Sequence, residues 1–369
     1  LKHLREYGWS DFFERAIDRA GGETLPQVAR VVQEHKEAYL VHSAAGKIWA
    51  EISGKMRHGG VVRADFPAVG DWVVLRGLEH VKEHAGKIAD GGPVQIARIL
   101  PRRTVLSRRL EADDQILATN IDIVFLGTSL NENFNLRRLE RYLTLARESG
   151  ARPIVLLTKA DLCPDPEPYL AEVRSVAGDA AMIVLSVVTG VGLAEIKRQL
   201  GPGVTSVILG SSGIGKSTLV NTLADADVQD MMESREFDDK GRHCTTFRHL
   251  VKTPMGGLII DTPGLRGLSL GEATDALVST FRDVEALARS CKFTNCGHDT
   301  EPGCAVKAAI DAGTLDAGRF DSYLKLQREV AAMGSRENRI AERKQRKLEK
   351  KTTSGSEKKS KRRWDKYYQ

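Results

Sequence analysis

No apolar run in this 369-residue chain approaches the roughly 20 residues that a membrane-spanning helix needs. That argues against a helical membrane protein. The balance of 41% hydrophobic and 28% charged residues is that of a globular chain. The opening stretch, "LKHLREYGWS", lacks the basic-then-apolar pattern of a secretory signal. It also lacks Met, so residues ahead of Leu1 are expected, and the location expected is cytoplasmic. Cysteine is scarce, five in all, and Cys291, Cys296 and Cys304 fall close together. In a cytosolic chain that clustering favours a metal over a disulfide framework. Internal repeats are also missing.

What charge there is sits unevenly. Residues 336–369 carry fourteen Lys/Arg against five Asp/Glu, a balance of +9, while the net charge of the whole chain is +6. The remainder is therefore slightly acidic, and the basic character belongs to the tail. Such a tail reads as a solvated arm of the kind that meets nucleic acid.

The length suits two or three domains. Residues 1–24 include the amphipathic stretch "WSDFFERAIDRAGG". From 25 to 106 short alternating runs, "QVARVVQ", "AYLVHS", "KIWAEIS" and "DWVVLRG", are separated by turns that carry Gly. They predict a small all-β barrel, with a spacing that suits the five-stranded oligonucleotide-binding (OB) type. From 107 to 275 apolar strands alternate with helical patterns, which predicts an α/β domain with a mostly parallel sheet. Residues 276–334 look helical around a Cys/His knot. Residues 335–369 form the basic tail, read as a helix that frays into disorder.

Within the α/β region, Gly210-Ser211-Ser212-Gly213-Ile214-Gly215-Lys216-Ser217 fits G-x-x-x-x-G-K-[ST] in full. It follows an apolar strand and opens a helix, as the motif requires. Its backbone N–H groups, continuing through Thr218, are suited to cradle phosphates. Lys216 can reach the β and γ phosphates, and the Ser217 hydroxyl can hold Mg²⁺. About fifty residues earlier, "TKAD" spans Thr158, Lys159, Ala160 and Asp161 at the end of another strand. A carboxylate there can accept hydrogen bonds from N1–H and N2–H₂ of guanine, whereas adenine would leave it unpaired. That disfavours an ATPase. "SVVTG", from Ser186 and Val187 to Gly190, closes a third strand and suggests backbone contacts to the guanine carbonyl. "DTPG" closes a fourth: Asp261 can hold Mg²⁺ through water, and the N–H of Gly264 can bind a γ phosphate. Between the two phosphate elements, "GRHCTT" offers Thr245 or Thr246 to the Mg²⁺ shell once a γ phosphate is present. The order is base reader, second base element, phosphate loop, threonine switch, DTPG. An ordinary GTPase puts the phosphate loop before the base reader. The chain therefore reads as a GTPase sheet cut and rejoined elsewhere, a rearrangement that surface termini tolerate.

Cys291, Cys296, His298 and Cys304 supply three thiolates and an imidazole, a closed Cys₃His set suited to one tetrahedral, structural Zn²⁺ per chain. The unit around them spans under sixty residues and needs such a staple. For RNA, "KMRHGGVVRADFP" in the barrel supplies a basic loop. "EKKSKRRWDKYYQ" in the tail interleaves cations with Trp364, Tyr367 and Tyr368, which could stack on bases.

Together the barrel, "ATNIDIVFLGTSL", "TKADL", "GSSGIGKSTLVN", "GRHCTT", "DTPGLR" and the Cys/His knot resemble the circularly permuted, small-subunit-dependent ribosome biogenesis GTPases of bacteria. The resemblance covers nearly the whole chain. It implies an OB-type barrel, a permuted GTPase domain and a zinc domain. It also implies GTP hydrolysis with Mg²⁺, stimulated by the small ribosomal subunit, late in that subunit's maturation. The partners implied are the subunit with its rRNA and GTP/GDP, with no membrane; the chain is expected to be a monomer. The family often carries Asn where Thr158 stands, Thr at the Cys244 position and Ala at the Val187 position. After DTPG comes Leu265, which cannot orient water as the Gln of Ras-like enzymes does. His243 in the switch is the candidate for that role. The competing reading is a nucleotide-gated RNA-binding module in which hydrolysis only resets binding.

Overall fold

The computed structural model describes residues 2–18, 27–35, 38–60, 62–78, 94–109, 114–224, 248–261, 274–299 and 301–331. Five strands build the first layer: β1 (Val28–Glu34), β2 (Ala38–Ser43), β3 (Gly46–Ile52), β4 (Trp72–Arg76) and β5 (Val94–Ile99), with the short helix α3 (Gly54–Gly59) after β3. β2 shows the period-2 logic plainly, with Tyr39, Val41 and Ser43 turned inward and the residues between them half-exposed. The strands follow one another as β1-β2-β3-β5-β4, and β4 pairs back to β1 at Val28↔Val74. The sheet thus closes into a barrel, with β3 and β5 parallel (Ala50↔Val94) and the other pairs antiparallel. The amphipathic N-terminal segment, α1 (Lys2–Glu6) and α2 (Asp11–Asp18), packs on the outer wall of β1 and β4, on the face opposite the barrel interior. Their Leu4, Trp9 and Phe13 are buried against Trp72, with the Trp9 and Trp72 rings 4.7 Å apart, edge to face.

A hairpin of β6 (Val105–Arg109) and β7 (Asp114–Thr119) follows as a sheet of its own. The sequence reading had passed straight from barrel to α/β domain near residue 106. The α/β sheet holds β8 (Ile123–Ser129), β9 (Arg152–Thr158), β10 (Ala181–Val184), β11 (Thr205–Gly210), β12 (His249–Lys252) and β13 (Leu258–Asp261). Their order across the sheet is β10-β9-β8-β11-β13-β12, all parallel except β12. β8 and β11 are buried along their whole length, as central strands between helical layers must be. The helices are α4 (Leu136–Glu148), α5 (Glu167–Ala177), α6 (Leu193–Gln199) and α7 (Lys216–Ala224). Asn135 caps α4 by accepting from the Arg138 N–H at 2.8 Å.

The two sheets are continuous, because β12 pairs with β1 at Gln33↔His249. Beside that joint lies Arg30, 1% exposed. Its guanidinium donates to the Gly70 carbonyl (3.2 Å), the Tyr7 carbonyl, the Asn120 carbonyl (3.0 Å) and the Thr205 hydroxyl (2.9 Å). One side chain thereby ties the N-terminal segment, barrel, hairpin and first residue of β11. Burial holds its pKa down to about 10, so it stays charged at neutral pH. Arg30→Ala strands the Tyr7 and Asn120 carbonyls, since Gly70 keeps a donor in Asn120 Nδ2, and should cost roughly 3–5 kcal/mol of stability. Urea unfolding checks this; a loss under about 1 kcal/mol would mean that water replaces the guanidinium.

Beyond the sheet, α8 (Thr274–Thr280), α9 (Arg282–Arg289), α10 (Ala305–Asp311) and α11 (317–331) pack against α4. Arg319 of α11 donates to Glu140 of α4 (2.6 Å), to both Asp283 oxygens (2.6 and 2.7 Å) and to the Thr280 carbonyl (3.0 Å). Glu140 is fully buried, and its Oε1 accepts from both Arg319 and Arg137, so the pair is held away from water.

Candidate nucleotide site and metal cluster

The four strand-end motifs do converge. β9 stops at Thr158, β10 at Val184, β11 at Gly210 and β13 at Asp261, all at carboxyl ends of parallel strands in one sheet. From β8 the chain runs outward to β9 and β10, returns to β11 on the other side of β8, and moves on to β13. The crevice between β8 and β11 is therefore the topological switch point, where such sheets bind ligands.

The phosphate loop turns through Gly213 (φ +83°) and Gly215 (φ +93°), conformations that a side chain would resist. Ile214 is buried beneath it. A Cβ on Gly210, or on Gly127 of β8, would stand 2.1 Å from the Ile214 Cδ1. Two glycines on neighbouring strands thus make the seat for the loop's one apolar residue. Lys216 Nζ folds back to the carbonyls of Gly210 and Ser211, both at 2.7 Å. Burial lowers its pKa, and the Asp261 carboxylate opposes that shift. Ser212 accepts from Asn133 Nδ2 at 3.3 Å, while Asn131 holds that loop by accepting from Ser129 Oγ and the Asn133 N–H. Ser217 and Thr218 are exposed at the start of α7, and Asp261 is half-buried at the end of β13.

On the other side of the crevice, Thr158 is buried and donates to the Thr128 carbonyl at 3.4 Å. Lys159 takes a left-handed turn (φ +61°), after which Asp161 lies in the short 3₁₀ turn Ala160–Leu162. The Ala160 N–H donates to the Leu185 carbonyl at 3.1 Å, binding the two base-side loops together. Ser186 Oγ donates to Asp161 Oδ1 at 2.6 Å and accepts from the Thr189 N–H at 3.2 Å. One cavity of about 240 Å³ is lined by Thr158, Asp161, Val187 and, from the loop side, Gly215, Lys216 and Thr218. The predicted base reader and phosphate loop therefore face a common space. His243, Thr245, Thr246 and Gly264 lie outside the described residues, as does the tail.

Gly127 and Asn133 went unnoticed in the sequence. Gly127 carried a signal, since a glycine inside a strand marks a close approach. Asn133 carried none.

The thiols and imidazole also assemble. The donor atoms of Cys291, Cys296, His298 and Cys304 all lie within 4.8 Å of one another. Cys291 and Cys304 Sγ are 3.9 Å apart, and each is 3.5 and 3.4 Å, respectively, from His298 Nδ1. A tetrahedral zinc with Zn–S and Zn–N bonds of ordinary length would place sulfurs about 3.8 Å apart and sulfur about 3.5 Å from nitrogen. The cluster has that size. His298 adopts φ +59°, which turns its ring back between the sulfurs, and the ring meets Phe320 edge-on at 5.8 Å. The Lys307 N–H donates to Cys304 Sγ at 3.4 Å, so that Cys304 also caps the start of α10.

With this geometry in hand, comparison with known proteins is direct. Residues 99–271 match the RsgA GTPase family model. A small ribosomal subunit biogenesis GTPase RsgA from Opitutus terrae is 47% identical over 358 residues, 95% of this chain and 96% of that protein. The RsgA 2 protein of Lactiplantibacillus plantarum is 43% identical, over 90% of each chain. Among solved structures, YjeQ from Thermotoga maritima aligns with a TM-score of 0.58 at 25% identity, covering 83% of this chain and 98% of that one. YloQ, described as a circularly permuted GTPase, aligns with a TM-score of 0.55 at 25% identity, covering 83% and 95%. With the permuted motifs at the same strand ends of one sheet and likeness extending over nearly its whole length, the chain belongs to the RsgA GTPase family.

Proposed function

We propose that this chain hydrolyses GTP and acts in biogenesis of the small ribosomal subunit, which stimulates the hydrolysis. The observation that carries the reading is the single cavity between Asp161 and Lys216, at the switch point of a sheet whose motifs run in permuted order. The likeness to proteins named small ribosomal subunit biogenesis GTPases supplies the partner.

Asp161, held by Ser186, accepts from the guanine edge, and Val187 lines the same cavity. Thr158, where relatives often have Asn, shapes the floor. The N–H groups from Ser211 to Thr218 receive the phosphates, strengthened by the start of α7. Lys216 swings from the Gly210 and Ser211 carbonyls to the β and γ phosphates; its present contacts are what a cation makes within reach of them. The family implies Mg²⁺ with GTP, and its oxygen donors here are the Ser217 hydroxyl, at the start of α7 after β11, and the Asp261 carboxylate, at the end of the adjacent strand β13. When bound, Mg²⁺ neutralises charge between the β and γ phosphates. Thr245 or Thr246 completes the donor set, Gly264 N–H binds the γ phosphate, and His243 positions the water.

The remaining assignments follow the same logic. Residues 25–106 form an OB-type barrel, 107–275 the GTPase domain, 276–334 a zinc-binding domain and 335–369 an RNA-directed tail, with 1–24 as the N-terminal segment ahead of the barrel. The β1-β2-β3-β5-β4 closure supports the OB assignment. Cys291, Cys296, His298 and Cys304 hold one structural Zn²⁺, their spacing matching that ion. Exposed Lys55, Arg57 and His58 on the helix Gly54–Gly59 give the barrel a basic face. No helix among the described residues is long and apolar enough to cross a membrane, in keeping with a cytoplasmic partner.

The test is GTP turnover by the full chain, alone and with purified small or large subunits. Turnover should be slow alone and raised by small subunits only. Equal rates under all three conditions would leave a nucleotide-gated RNA-binding module as the better reading.

A further inference from the structure

One carboxylate stands between the barrel's basic loop and the strand that emerges from the switch. Glu34 is the last residue of β1, next to the joint between the sheets. Its Oε1 accepts from Arg63 Nη2. Arg63 belongs to the segment that follows the basic helix Gly54–Gly59, and it also donates to the Pro67 carbonyl at 3.3 Å. That segment is braced from behind: Arg102 donates to the carbonyls of Ala64 (2.8 Å) and Phe66 (2.9 Å) while forming a two-point pair with Asp71. The other oxygen, Glu34 Oε2, is buried without a hydrogen bond and lies 3.8 Å from Arg248 Nη1. Arg248 immediately precedes β12, and residues 241–246, "GRHCTT", end two positions before it.

Two arginines thus share one carboxylate, and they come from the two surfaces that the proposed function must connect. A carboxylate whose charge is divided between two cations binds each less tightly than it would bind one. An rRNA phosphate that engages the Arg63 guanidinium would withdraw part of its pairing from Glu34. The carboxylate would then close the 3.8 Å gap to Arg248, fixing the start of β12 against the barrel. Both Glu34 and Arg248 are mostly shielded from solvent (side chains 22% and 14% exposed), so salt screens the pair only weakly.

We propose that Glu34 is a positioning residue that passes docking of the barrel's basic loop on rRNA to the nucleotide site through Arg248 and β12, and so sets the subunit-stimulated rate of GTP hydrolysis. This rests on the function proposed above. Glu34 touches neither nucleotide nor Mg²⁺ in it; its effect is on the placement of β12, whose His249 lies opposite Asp261 of β13.

The experiment measures GTP turnover of the full chain against rising concentrations of small subunits, for wild type, Glu34→Gln, Arg248→Gln and the double variant. Gln keeps the shape of Glu34 while removing the charge, and a thermal melt of each variant checks the fold. Glu34→Gln should leave the unstimulated rate unchanged and lower the stimulated kcat roughly tenfold, with the half-saturating subunit concentration within about twofold of wild type. Arg248→Gln should give the same loss, and the double variant no more than either alone. Stimulation of Glu34→Gln equal to wild type, additive losses, or an effect confined to the half-saturating concentration would each overturn the inference while leaving the function in place. If small subunits do not stimulate even the wild type, the function itself fails and this inference falls with it.

Discussion

Replacing Asp161 with Asn should weaken GTP binding by about a hundredfold or more and improve binding of xanthosine triphosphate. Two charge-assisted hydrogen bonds to the guanine edge are lost, each worth roughly 1.5–3 kcal/mol. The Asn amide then presents a donor where guanine also presents one. Xanthine has a carbonyl at that position and accepts it. The loop geometry should survive the change, because Ser186 Oγ, 2.6 Å from Asp161 Oδ1, can pair with an amide oxygen as well as with a carboxylate. The loop is also fixed independently through Ala160 N–H and the Leu185 carbonyl. The measurement is titration of the full chain with both nucleotides. Wild-type affinity for GTP in the variant would remove Asp161 from the role of base reader.

Removing metal should be equally drastic, and local. The preparation is expected to contain about one Zn per chain by elemental analysis. Chelation, or Cys296→Ser, should unfold α8–α11, since the binding free energy of a structural zinc is on the order of 10 kcal/mol and is spent on folding. The unit has little else to hold it. Its buried residues, Phe281, Val284 and Val306 among them, belong to a core shared with α4, and its best polar anchor, Arg319 with Glu140 and Asp283, needs α11 already in place. The other layer of the α/β sheet, with Phe125, Ile154 and Ile208, takes nothing from α8–α11 and should keep its melting transition. Hydrogen exchange resolves the two regions. A metal-free protein with full protection across 274–331 would refute the structural role.

The nucleotide site was legible because its signals are local. "GSSGIGKST" needs a strand before it and a helix after it, and both can be read within twenty residues. The alternating run "AYLVHS" gave β2 its register because one face of it is buried. The Cys/His spacing likewise announced a cluster whose atoms do meet. What escaped was long-range. β12, "HLVK", is four residues long and its partners lie at residue 33 and across the short turn to β13, so nothing nearby marks it as the joint. Arg30 reads as one polar residue among the apolar ones of "QVARVVQ". Its four acceptors come from residues 7, 70, 120 and 205, and no window of sequence contains them. Gly127 was present in a quoted strand, but its purpose appears only when β11 is set beside β8 and Ile214 drops between the two glycines.

The pairing of β12 with β1 also has a consequence for how the chain can be divided. An outermost strand offers a row of unsatisfied backbone groups to any other extended polypeptide, and open edges of this kind seed aggregation. In this molecule one flank of the α/β sheet ends on β10, only four residues long, which gives a stranger little to grip. The other flank would end on β12, equally short but paired antiparallel to β13 along its whole length, and it would be bare if nothing lay beyond it. The barrel lies beyond it, so that its first strand serves the neighbouring sheet as a stopper. A fragment beginning at residue 107 would retain every nucleotide motif and lose that stopper. It should be prone to self-association even where its pocket is intact, which makes the barrel a solubility element for the enzyme as well as its proposed contact with rRNA.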